Sequence, residues 1–247
     1  MTQYYKIPRQ ASHNYGGKQW KLSRSKINLF MECPKCFYLD NKSGIKRPPG
    51  FPFNLNSAVD ALLKKEFDIH RAKNKVHPLL KSYKVNLVPF QHELIDEWRE
   101  NFKGVQFYHK KTGMTITGAV DDIWVDKKGL LYVVDYKATS KNADIIELDQ
   151  DWQISYKRQM EVYQWLLRQN GFKVADTGYF VYCNGKTDKK AFDAMLEFDV
   201  TLIAYKGDDG WIEKEIMNIH KCLNSNTIPE SGGDCDYCKY CKEVNKL

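Results

Sequence analysis

Asp135 and Lys137 stand two residues apart in the apolar run Val133-Val-Asp135-Tyr-Lys137, and Asp121 lies in the run before it, Gly118-Ala-Val-Asp121-Asp-Ile-Trp. Side chains i and i+2 of a strand point to one face. Asp135 and Lys137 therefore point together, and a hairpin between the runs can bring Asp121 beside them. Carboxylate oxygens are hard ligands suited to Mg²⁺ or Mn²⁺. A metal so held lowers the pKa of a bound water and neutralises phosphate charge. An ammonium on the same face can orient that water and stabilise charge that develops during attack. The pattern suits phosphodiester hydrolysis. Asp122 competes with Asp121, since adjacent strand residues face opposite ways, and it is expected in a salt bridge or facing solvent.

Seven cysteines in a chain whose start, Met1-Thr-Gln-Tyr-Tyr-Lys-Ile-Pro, lacks a secretory apolar core argue against a disulfide framework. Two close pairs, Cys33/Cys36 and Cys235/Cys238, argue for a metal or a cluster at which the two ends of the chain meet. Cys241 is a further candidate ligand, and a two-plus-two zinc site is chemically sensible. Cys183 and Cys222 read as packing residues. The histidines have no metal-binding spacing and read as surface or loop residues.

These residues need elements to position them. Residues 1–22 read as an irregular arm. Apolar periodicity predicts a helix over about 23–39, ended or bent by Pro34, then a breaker-rich loop over 44–52. A long helix is expected over about 56–73 and a short one over 91–100. Strands are expected over about 104–109, 114–125 and 130–138, with Asp126-Lys-Lys-Gly129 as the hairpin turn. A helix over about 151–169 stops at Asn170-Gly171. Strands over 174–184 and 195–205 and a helix over 211–223 follow. This order predicts an α/β fold, a mixed central sheet flanked by helices.

With the motifs on these elements, the chain resembles the PD-(D/E)xK nuclease superfamily in its RecB-like branch, which includes CRISPR-associated exonucleases. Asp121, Asp135 and Lys137 match the core signature, and Gly118 with Asp121 fits G-x-x-D, which favours Asp121 over Asp122. Gln159-Met-Glu-Val-Tyr163 matches the Q-x-x-x-Y helix motif. Cys33-Pro-Lys-Cys-Phe and Cys235-Asp-Tyr-Cys238 look like the terminal cysteine elements. The resemblance covers roughly 22–241. It implies a restriction-endonuclease-like core over 23–247, with a cysteine-stapled lobe from 23–50 and 222–247. It implies the Tyr136 carbonyl as a further metal ligand, and it places Gln159 and Tyr163 near the lysine or the DNA backbone. Asp60 occupies a place where related enzymes carry histidine, so it is a candidate ligand, with Glu66 as the alternative. The cysteines of relatives hold a [4Fe–4S] cluster with one N-terminal and three C-terminal ligands. Here that set is Cys33, Cys235, Cys238 and Cys241, although the last gap is tighter than usual.

The implied activity is metal-dependent DNA cleavage, exonuclease-like on single-stranded or frayed duplex ends, with a helicase or a repair or CRISPR protein as partner. The alternative is a catalytically silent nucleic-acid-binding or assembly module. A net charge of +7 agrees with a polyanionic partner. The pairs Lys46-Arg47, Lys110-Lys111 and Lys189-Lys190 are candidate phosphate contacts. No apolar run approaches the ~18 residues that cross a bilayer, so a cytoplasmic protein is expected. Hydrophobic residues at 43% and charged ones at 28% suit a globular core.

Overall fold

A computed structural model describes residues 10–50, 53–141 and 147–247. Residues 1–9 of the expected arm and 51–52 of the expected loop lie outside the described residues. The chain divides into two compact units. The first comprises Met1–Pro52, Phe107–Thr117 and Gly210–Leu247, the second Phe53–Gln106 and Gly118–Asp209.

In chain order the first elements are strand β1 (Leu22–Ser23) and helices α1 (Arg24–Glu32), α2 (Pro34–Ser43), α3 (Asn54–Ala72) and α4 (Pro78–Ser82). Strand β2 (Val88–Pro89), helix α5 (Ile95–Arg99) and strands β3 (Val105–His109), β4 (Met114–Gly118), β5 (Asp122–Val125) and β6 (Leu131–Thr139) follow. Helix α6 (Ile154–Gln169), strands β7 (Thr177–Gly185) and β8 (Phe198–Lys206), and helices α7 (Ile212–Asn224) and α8 (Asp236–Val244) complete the series. One sheet has the order β1-β4-β3 and the other β2-β5-β6-β7-β8. β6 and β7 run parallel, and the other pairings of the larger sheet are antiparallel. Parallel neighbours need a long crossover, and α6 lies within that connection.

Two expected elements resolve differently. The helix over 23–39 is two helices. Ser23 caps α1 by accepting from the Lys26 amide, and Pro34 opens α2 at a position where no amide is needed. The expected strand over 114–125 breaks at Gly118, and its halves join different sheets. Asp121 consequently stands just outside β5 rather than within a strand. The hairpin turn is as expected. Gly129 takes φ 79°, and Asp126 Oδ1 accepts from the Lys128 and Leu130 amides. α4, β2 and α8 add to the predicted set.

In the second unit, α3 lays one stripe on the larger sheet. Leu63, Phe67 and Arg71 recur at helical spacing and are buried. Phe67 stacks on Trp124 at 5.2 Å and on Tyr136 at 5.7 Å between ring centroids. Leu80, Val134, Val181 and Leu202 close this core. Asp60 and Lys64 lie on the same stripe, nearer the start of α3, so packing Phe67 also aims them at the sheet.

Candidate active site

β6 separates its side chains as strand geometry requires. Tyr136 points into the core, where its hydroxyl donates to Asp122 Oδ2 at 2.8 Å. Asp135 and Lys137 point the other way and form an ion pair. Asp135 is fully buried. Burial alone lowers the Lys137 pKa, but the carboxylates of Asp135 and Asp121 outweigh it and hold the ammonium above its usual value. Gln159 Oε1 lies 3.4 Å from Lys137 Nζ, and Gln159 Nε2 donates to the Tyr163 hydroxyl at 3.1 Å. The Tyr156 ring lies under the same ammonium, 4.5 Å from its centroid.

Asp121 is held from both ends. Its Oδ2 accepts from the Tyr136 amide at 2.9 Å, and its carbonyl accepts from Arg99 Nε at 3.1 Å. Lys64 Nζ donates to Asp60 Oδ2 at 2.8 Å and lies 3.5 Å from Asp121 Oδ1. Burial, and then the neighbouring Asp121 charge, raise the Asp60 pKa above the usual carboxylate value. Asp60, Asp121, Asp135, Lys64 and Lys137 thus form one connected group. Glu66 is paired instead with His77 Nε2 at 2.8 Å.

Gly118 has a steric role in this arrangement. A Cβ there would lie 2.6 Å from Tyr163 Cε1, so only glycine lets α6 bring Tyr163 and Gln159 this close.

The neighbouring acid serves a different purpose. Asp122 is fully buried and accepts from Arg71 Nη2 at 2.5 Å, Arg99 Nη2 at 3.0 Å and its own strand through the Ile123 amide at 2.8 Å. It is the salt-bridged alternative, and a buried carboxylate must be paired in this way. Lys64, Arg71 and Arg99 were not singled out by sequence. The spacing Asp60–Lys64 carried a signal, but an i,i+4 acid–lysine pair usually marks a solvated helix face.

The histidines require a correction, because two are buried. His77 stacks on Phe67 at 4.2 Å, and His109 pairs with Glu213 at 3.1 Å. Each of the three basic pairs has a cation engaged: Lys111 binds Glu213 at 2.9 Å and Lys189 binds Glu197 at 2.7 Å. Arg47 binds Glu32 at 2.9 Å and lies 3.3 Å from Cys235 Sγ.

In the first unit, Cys33, Cys36, Cys235 and Cys238 offer sulfurs that all lie within 4.8 Å of one another, a group positioned to bind a metal ion. Cys33 caps α2 by accepting from the Cys36 amide, and Cys235 stands at the N-cap position of α8 without a side-chain bond to the helix. Cys241 is exposed and is not among the four. Cys183 is buried in β7, which pushes its thiol up to about 11, and Cys222 is half-buried on α7. Both suit packing.

The carboxylate group has the composition of a hard-cation site. It has three carboxylates and two ammoniums, which leaves one negative charge uncompensated. The donors fit Mg²⁺ or Mn²⁺. Among the described residues, no helix is long and apolar enough to cross a membrane. No curated protein matches the chain. The crystal structure of SSO0001 is similar at 15% identity, over 92% of this chain and 85% of that one, with a TM-score of 0.35. That likeness is too slight to define the fold. The profile of the PD-(D/E)XK nuclease superfamily, by contrast, matches residues 21–242, most of the chain and both cysteine pairs. The mixed sheet flanked by helices is consistent with a restriction-endonuclease-like fold, and the chain belongs to the PD-(D/E)XK nuclease superfamily.

Proposed function

We propose that the protein is a metal-dependent nuclease that hydrolyses phosphodiester bonds of DNA, acting on single-stranded or frayed ends. The observation that carries this reading is the convergence of Asp121, Asp135 and Lys137, with Gln159 placed on the lysine. Asp121 and Asp135 would hold Mg²⁺ or Mn²⁺, with Asp60 and the Tyr136 carbonyl as further candidate ligands. The ion would supply an acidified water and neutralise charge on the scissile phosphate. Lys137 orients the attacking water and stabilises the charge that develops on the phosphate oxygens. Gln159 and Tyr163 keep that ammonium from turning away, and Arg99 fixes the backbone that presents Asp121.

The preference for unpaired ends is supported by an aromatic step beside the lysine. Trp152 meets the Tyr156 ring edge-on at 5.4 Å and is half exposed, with the Lys141 ammonium 4.6 Å from its centroid. An exposed indole beside cations suits stacking of an unpaired base over a charged backbone. Resemblance to the RecB-like branch agrees with exonuclease character and with a helicase or a repair or CRISPR protein as partner.

The test is cleavage of end-labelled single- and double-stranded DNA with Mg²⁺, with Mn²⁺ and with chelator. Wild type cleaves only with metal, and Lys137→Ala reduces the rate by about 10²–10³-fold. Folded wild type that binds DNA but cleaves none with either metal would overturn this reading in favour of a silent binding module.

A further inference from the structure

We propose that Cys33, Cys36, Cys235 and Cys238 hold one tetrahedral Zn²⁺ ion, and not the [4Fe–4S] cluster that the family resemblance implies. The argument is geometric and does not depend on the nuclease reading. Cys33 Sγ lies 3.7 Å from Cys238 Sγ, and Cys36 Sγ lies 3.6 Å from both Cys235 and Cys238. Four sulfurs at about 2.3 Å from one shared tetrahedral ion stand about 3.8 Å apart. A four-iron cluster gives each thiolate its own iron, so its ligand sulfurs stand wider apart, at roughly 6 Å. No pair in the set exceeds 4.8 Å. The space among these sulfurs fits one ion and is too small for a cube of iron and sulfide.

The ligand set is also wrong for the cluster. The one-plus-three arrangement needs Cys241 and leaves Cys36 spare. Here Cys36 touches two of the other sulfurs, while Cys241 is exposed and outside the group. Two C-x-x-C turns, each opening a helix, form a two-plus-two site instead.

The surroundings support thiolate ligands. The Cys36 and Gly232 amides point at Cys33 Sγ, at 3.5 and 3.3 Å, and Arg47 Nη2 lies 3.3 Å from Cys235 Sγ. Such donors stabilise charge on sulfur and orient the ligands. Gly232 is pressed against Glu32, whose carbonyl would lie 2.1 Å from an added Cβ, so the approach of that amide requires glycine. All four ligands lie in the first unit, where the ion would join segments nearly two hundred residues apart in sequence. Four tetrahedral thiolates are a closed, structural site with no position for substrate.

The test is the metal content of the full chain, purified aerobically and anaerobically from cells supplied with both zinc and iron. The expected result in both preparations is one zinc per chain, no acid-labile sulfide and no visible colour. Replacing the zinc with Co²⁺ in wild type should give the intense bands of tetrahedral cobalt–thiolate, a readout that needs no variant to fold. Cys241→Ser should keep one zinc, and Cys36→Ser should lose it. Four irons with matching sulfide in the anaerobic preparation, a single iron or no bound metal would each overturn the proposal. So would loss of zinc from Cys241→Ser.

Discussion

The carboxylate group of the second unit and the thiol group of the first solve opposite problems. The carboxylates are largely, though not fully, offset from within. Lys64 bridges Asp60 and Asp121, and Lys137 pairs with Asp135. That group can therefore exist folded before a metal arrives, and a metal must compete with ammoniums already in place. Arg47 lies against the thiols as a cation, and their sulfurs crowd one another. They call for an ion to complete the fold. On the functions proposed for them, the difference suits one centre to exchange and turnover, and the other to permanence. Losses at the first should fall on activity, and losses at the second on stability.

Adjacent acids sharpen this contrast, because Asp122 is a buried, salt-bridged group beside Asp121 in the second unit. Asp122→Ala leaves Arg71 and Arg99 without their buried partner. It should cost about 3–5 kcal/mol in chemical denaturation, the range for breaking a buried ion pair. A cost under about 1 kcal/mol would break the claim that Asp122 is a structural, paired carboxylate.

A smaller effect is expected at Gly118. Gly118→Ala forces a methyl against Tyr163 and should cost about 1–3 kcal/mol by overpacking. Cleavage should also fall, because Tyr163 and Gln159 move together and Lys137 loses its support. Wild-type stability and rate in this variant would show that the tight approach of α6 is dispensable.

The smallest effect lies in the first unit, on its surface. Bonds from Lys111 and then His109 hold the Glu213 carboxyl below its usual range. A lowered folded pKa contributes stability above the unfolded value, and that contribution is lost as pH falls through the folded pKa. Glu213→Gln should thus lower stability by under about 1 kcal/mol at neutral pH. Its difference from wild type should vanish in acid, as followed by thermal melts across pH. A larger loss would mean that exposed ion pairs, and not the thiol centre, carry this unit.

The sequence made much of the site legible. Period-two geometry put Asp135 and Lys137 on one face, and the cysteine spacings marked the two close pairs that meet, while leaving Cys241 as a rival to Cys36. Composition cannot show where an apolar run changes sheets, so Asp121 was expected inside a strand that breaks at Gly118. Lys64 was hidden because helical acid–lysine pairs are common on surfaces. Arg71 and Arg99 were hidden because their partner, Asp122, is distant in sequence from both. α8 was missed because its helix is short and opens without a side-chain cap. The metal preferred by the thiols depends on sulfur separations, which spacing in sequence does not contain.

The account rests most directly on Asp121 acting in cleavage and not in folding. The measurement is cleavage rate and melting temperature on one preparation of Asp121→Asn, whose amide oxygen can still accept from the Tyr136 amide. The account predicts metal-dependent cleavage reduced by about 10³-fold with the melting temperature unchanged. Cleavage at the wild-type rate by this variant would contradict it.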